Sequence, residues 1–207
     1  MTGNPFWSVR RDREGAAHHE AGHAVIGTQF GLIAERATIT PIEGFAGHVS
    51  WLHADFFKEW QAGVNSPQEG DTPHLKNLDP HEWGAQWERY IDYWIMTQIA
   101  GAFAQHVFRG KEILFNPSNP LACSSDFEEA LTYGRYRNTK DELATIIYIE
   151  WLARRTELIV KRPITQIRIE AVAAALWEKG TIEGAEIRNI VVNSKDERSI
   201  SETGNVF

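Results

Sequence analysis

A mainly helical α+β domain with one small sheet is the fold class this chain predicts, and three observations predict it. Apolar residues recur at three- and four-residue spacings through much of the sequence, the mark of amphipathic helices. Two short segments rich in β-branched residues stand together before residue 53. Pro and Gly punctuate the intervals between the periodic stretches. At 207 residues, 43% of them apolar, the chain has material for one core, so a single domain is expected over 15–193, flanked by tails at 1–14 and 194–207.

Residues 1–14 are polar and basic and lead into AAHHEAGHAVIGTQFG, where alanine favours a helix that Gly31 can end in a left-handed cap. ERATITP and GFAGHVSWL, separated by Pro41 and Gly44, then read as paired strands. The stretch NSPQEGDTPHLKNLDP, residues 65–80, is a long surface loop, either a lid over a cleft or an inert insertion. Trp83, Trp87, Tyr90, Ile91, Trp94, Ile95, Gln98 and Ala102 share one face of a helix over 81–109, an aromatic stripe expected in the core. After a loop with Pro117 and Pro120, Ser124 or Ser125 can cap a helix whose first turn holds Asp126 and Glu128. Thr139 with Glu142 matches a capping box for a helix running to about Lys161, which Pro163 breaks. Another helix runs to Gly180, and IEGAEIRNIV forms a last short one. The tail after residue 193 is polar and aperiodic.

Charge narrows the partners. With 28 acidic against 21 basic residues and no long basic run, the chain offers no footprint for phosphate backbones or anionic lipid, so neither nucleic acid nor membrane is expected. No apolar run reaches the roughly 18 residues of a membrane span, and the N-terminal residues hold no signal core. Cys123 is the single cysteine, which precludes an intrachain disulfide and suits a reducing, cytoplasmic compartment.

The chemistry concentrates in HHEAGH. In a helix, residues four apart share a face, so His19 and His23 can direct two imidazoles at one metal ion, with Glu20 beside them. A zinc ion there acts as a Lewis acid on water, and a carboxylate outside the coordination sphere can take the released proton, the role assigned to Glu20. His18 points about 100° away and is not expected to ligate. A catalytic zinc needs a third protein ligand, for which Asp126, Glu128, Glu129, Cys123, His48, His53 and His106 are candidates; spacing alone does not choose. Cys123 is either a small buried thiol or a sulfur near the metal. His48 either stabilises an oxyanion or faces solvent from its strand.

AAHHEAGHAV resembles the zinc motif of the peptidase domain of the FtsH family of ATP-dependent metalloproteases. ATITPIEGFAGHVSW is similar to the strand pair that follows it there, and IAGAFAQHVFRG to a helix rich in glycine and alanine. SSDFEEAL resembles the segment supplying the family's aspartate ligand, and ALWEKGTIEGAEIRNIV its C-terminal end, all in the same order over residues 13–192. The resemblance implies a zincin-like fold with its sheet beside the motif helix, Zn2+ as cofactor, Asp126 as third ligand and peptide-bond hydrolysis as the reaction. It departs from the family at Gln105 and His106, where two acidic residues are usual; His106 is either a compensating group or a helix-end residue, the second being favoured by the helix dipole.

No phosphate-binding loop or membrane helix occurs in the sequence, so the substrate is expected to be an unfolded protein or a peptide, cleaved without an ATPase in the chain. An ATPase acting in trans and a homo-oligomer are compatible partners. The alternative expectation is an inactive zinc-binding module that interacts with peptides or regulates; a structural zinc closed by a fourth ligand such as Cys123 is a further option.

Overall fold

The computed structural model describes residues 5–40, 47–52, 80–111, 124–137 and 141–194. Helix α1 spans Pro5–Gln29. It therefore begins inside the segment expected as a tail, because Pro5 suits a first helical turn and nothing between it and Gly15 breaks the helix. Ala17, Ala21, Ala24 and Val25 repeat at helical spacing and are buried. At its end the N–H of Gly31 bonds to the Thr28 carbonyl and that of Leu32 to Gly27, with Gly31 at φ 85°, a Schellman cap that turns the chain into the sheet.

Strand β1, Ile33–Thr38, pairs antiparallel with β2, His48–Leu52, matching Ala34 to Trp51 and Thr38 to His48. On its other side β1 pairs antiparallel with β3, Thr181–Glu183, so that Ile182 and Glu183, expected as the start of the last short helix, are extended and that helix begins at Gly184. The order is β2-β1-β3, and Thr38 Oγ1 lies 2.7 Å from Thr181 Oγ1.

The remaining elements are helices: α2, Pro80–Phe108; α3, Ser124–Arg137; α4, Glu142–Val160; α5, Pro163–Lys179; and α6, Gly184–Asn193. Together they make a mainly helical α+β fold with a small antiparallel sheet. Helix α1 packs chiefly on α2 and α5, and α3 and α4 also pack on α2. The stripe of α2 lies in the core as expected, with Ile91, Trp94, Ile95, Gln98 and Ala102 buried and Tyr90 half-buried. Each such fully buried large apolar side chain contributes roughly 1.5–3 kcal/mol.

Two caps differ from expectation. Asp141, not Thr139, caps α4, its carboxylate accepting from the Ala144 N–H at 3.0 Å, while Glu142 turns outward to Arg135 at 2.9 Å. A carboxylate immediately before the helix reaches its third residue directly, which Thr139, two residues further back, cannot. Helix α3 includes Ser124, so Ser125 lies within its first turn. Pro41, Gly44, His53, the loop at 65–79, Pro117, Pro120, Cys123, Thr139 and the tail from 195 lie outside the described residues, as do the side chains of Trp83 and Trp87. Among the described residues no helix is long and apolar enough to cross a membrane.

Candidate metal centre

His19 and His23 project from successive turns of α1, and the first turn of α3 brings Asp126 against them. The Nε2 atoms of the two histidines are 3.0 Å apart, and Oδ2 of Asp126 lies 3.0 Å from Nε2 of His19 and 3.4 Å from that of His23. Around a tetrahedral ion with ligand bonds of about 2.0–2.1 Å, donor atoms are separated by about 3.3 Å. The triangle matches that spacing, and among the described residues it is the one group of three His, Cys, Asp or Glu side chains that could hold a metal ion.

Two further observations bear on the fit. His23 Nδ1 lies 2.7 Å from the carbonyl oxygen of Thr97, which can only accept, so Nδ1 carries a hydrogen and Nε2 is the atom left to ligate. Oδ2 of Asp126 is buried and outside hydrogen-bond geometry with any donor, a costly state for an acceptor unless a cation stands before it.

Without a metal, a proton takes the central place. Burial disfavours a charged His23, but the Asp126 carboxylate, followed by Glu20 and the Thr97 carbonyl, outweighs it and raises the imidazole to about 9. Burial also works against the Asp126 anion, yet the charge of His23 and the contacts with both imidazoles hold its carboxyl well below the usual range. His19 is lowered, by burial first, with Asp126 opposing and His23 and Arg109 adding to it. Glu20 is 6% exposed, and burial pushes its carboxyl up to about 7. A carboxyl poised there can both take and return a proton near neutral pH.

Glycines shape the pocket. A Cβ on Gly22 would meet Cβ of Ala104 at 2.6 Å and the Ala100 carbonyl at 2.7 Å, so α1 and α2 touch nearly backbone to backbone between the two histidines. A Cβ on Gly101 would fall 2.4 Å from His23 Nε2, and one on Gly47 would fall 2.6 Å from Oε1 of Glu20. The residue before β2 thus rests on the carboxylate, and among the described residues β2 is an edge strand of the sheet.

His48 opens β2 opposite Thr38, largely exposed, its imidazole lowered by partial burial and by the charge of His23. His106 lies in the last turn of α2 and donates from Nδ1 to the Ala102 carbonyl at 2.8 Å, as a helix-end residue does. Gln105 and Arg109 approach Gly15, one turn ahead of His19. Glu128 is exposed. Glu129 is half-buried, takes the Trp94 indole N–H at 3.1 Å, and is raised chiefly by burial.

Sequence reasoning missed the Thr97 carbonyl, Gly47 and Gly101. Only the last had a signal: the small residues of IAGAFA, which permit a second backbone to approach. Fold and site define a helical α+β domain with a two-histidine, one-aspartate group fit to hold a metal ion beside a buried carboxylate. No protein-family model and no curated protein matches the chain.

Proposed function

We propose that this protein is a zinc-dependent endopeptidase, similar to the peptidase domain of the FtsH family, acting in the cytoplasm on unfolded proteins or peptides. One observation carries the reading: Glu20, buried at 6% exposure, adjoins a triangle of donors of tetrahedral size. A folding site or a passive binding module has no use for a carboxyl held there.

His19, His23 and Asp126 would hold the zinc, which when bound supplies Lewis acidity towards water and a substrate carbonyl. Glu20 takes the proton of the attacking water and returns it to the departing amine, so that peptide and water become a carboxylic acid and an amine. The Thr97 carbonyl holds the His23 ring in the tautomer that leaves Nε2 to ligate. An extended segment can add to the edge of β2, its backbone pairing with the strand that starts beside Glu20. His48 stands at that edge. Folded substrates present few such segments, which favours unfolded chains.

The test is degradation of casein, an unfolded protein, by zinc-loaded wild type and Glu20→Gln in the absence of ATP. Cleavage by wild type alone supports the reading. Zinc binding by both without cleavage by either transfers it to the inactive peptide-binding module.

A further inference from the structure

Three glycines close on the metal centre, and they differ in what an added side chain would strike. A Cβ on Gly22 would meet Ala104 and the Ala100 carbonyl of α2, and one on Gly101 would meet the His23 ring. For Gly47 the three nearest atoms all belong to Glu20: Oε1 at 2.6 Å, Cγ at 2.7 Å and Cδ at 2.9 Å. Each of these separations is shorter than a Cβ tolerates, so a side chain at 47 obliges something to move. The backbone itself does not ask for the glycine. Gly31, Gly110 and Gly180 have positive φ, which side chains resist, but Gly47 does not. What excludes a side chain there is the carboxylate across from it.

Which of the two would yield follows from how each is held. Gly47 leads straight into β2, whose residues from His48 onward are tied to β1 and whose Val49 is buried. Moving it would disturb the antiparallel ladder. The Glu20 carboxylate ends a side chain of three rotatable bonds, and among the described residues no hydrogen bond fixes it. Its place is set by packing, and the bare backbone at 47 supplies that packing on one side.

We infer that Gly47 is a positioning residue for Glu20, its missing side chain leaving the carboxylate room to stand beside the triangle of His19, His23 and Asp126. The inference rests on the endopeptidase reading of the site. Because Glu20 yields more readily than β2, a methyl group at 47 displaces the base while leaving fold and ligands in place. Gly47→Ala is therefore expected to keep the unfolding midpoint, and to keep zinc affinity and KM within about twofold, while kcat falls by about a hundredfold, the loss that goes with misplacing a reacting group by about 1 Å. Gly22→Ala, which strikes backbone, is expected to lower the unfolding midpoint instead.

Hydrolysis of fluorescently labelled casein by zinc-loaded wild type, Gly47→Ala, Glu20→Asp and the double variant tests it, together with a crystal structure of Gly47→Ala. Aspartate is one methylene shorter and withdraws the carboxylate from residue 47. In that background Gly47→Ala is expected to cost about fivefold or less, against about a hundredfold in wild type, and the crystal structure is expected to show Glu20 displaced with β2 unmoved. Wild-type kcat in Gly47→Ala would overturn the inference. So would a shifted strand with Glu20 in place, or an equal loss in both backgrounds, which is what a merely structural glycine gives. Wild type that cleaves no casein would refute the endopeptidase reading instead, and the position of Glu20 in the variant crystal would then decide alone whether residue 47 places it.

Discussion

A Cβ on Gly101 would stand 2.4 Å from Nε2 of His23, so the absence of a side chain on α2 is what gives this imidazole of α1 its place. Gly101→Ala should therefore weaken zinc binding by about ten- to a hundredfold, the range for groups that orient a ligand. Alanine would otherwise raise helix stability by about 1 kcal/mol over glycine, which makes the sign of the change informative. Competition with a chromogenic chelator measures it, and wild-type affinity in Gly101→Ala would remove the steric account.

Asp126 and Glu129 lie one turn apart on α3, both near the histidines, yet only Asp126 presents a buried oxygen to them. Asp126→Ala is expected to reduce zinc affinity by more than about a hundredfold, and Glu129→Ala by less than about tenfold. Equal losses would mean that Glu129 ligates.

The metal-free protein should lose stability as pH rises from about 6.5 to 9. His23, raised to about 9, contributes stability that is complete below its unfolded value near 6.5 and lost as pH passes through 9. Glu20, raised to about 7, has the same sign, its contribution falling away between about 4.5 and 7. The lowered His19 and His48 act in the opposite sense, but below pH 6.5, outside this window. Zinc reverses the trend, because a ligand must shed its proton to bind and affinity grows with pH. Urea unfolding of chelator-treated and zinc-loaded protein at pH 6.5 and 9 checks both signs. Parallel trends in the two forms would refute the linkage.

Asp141→Ala should cost roughly 0.5–2 kcal/mol through loss of the bond to the Ala144 N–H, more than Thr139→Ala, because Asp141 stands at the N-cap. Thermal unfolding of the two variants separates them, and the reverse order would return the cap to the position suggested by the capping-box pattern.

What the sequence made legible follows from how far each determinant reaches. His19, Glu20 and His23 are set by helical spacing alone, and the cap at Gly31 and the break at Pro163 by backbone chemistry within a few residues. Asp126 is different: nothing local distinguishes it from Glu128 or Glu129, and only the likeness to the FtsH family singled it out. Thr97 acts through a backbone carbonyl that any residue would supply, so its identity carries no message. Gly47 touches a residue from another element, and its contact exists only once the chain has folded. Strand β3 is three residues long, too short to show alternation, and Thr139 outranked Asp141 because pattern matching rewards a pair of residues over one close carboxylate.

Strand β1 lies between the segment that follows it at once and a strand near residue 182, with α1 packed against α5 and α6 behind it. During synthesis, then, the two histidines leave the ribosome well before their aspartate, while the sheet behind them stays unfinished until the strand at Thr181–Glu183 has emerged. A nascent chain holds an incomplete chelator, poorly able to retain an ion. The hydrolytic site proposed above would accordingly stay incomplete until Asp126 has emerged and joined the two histidines.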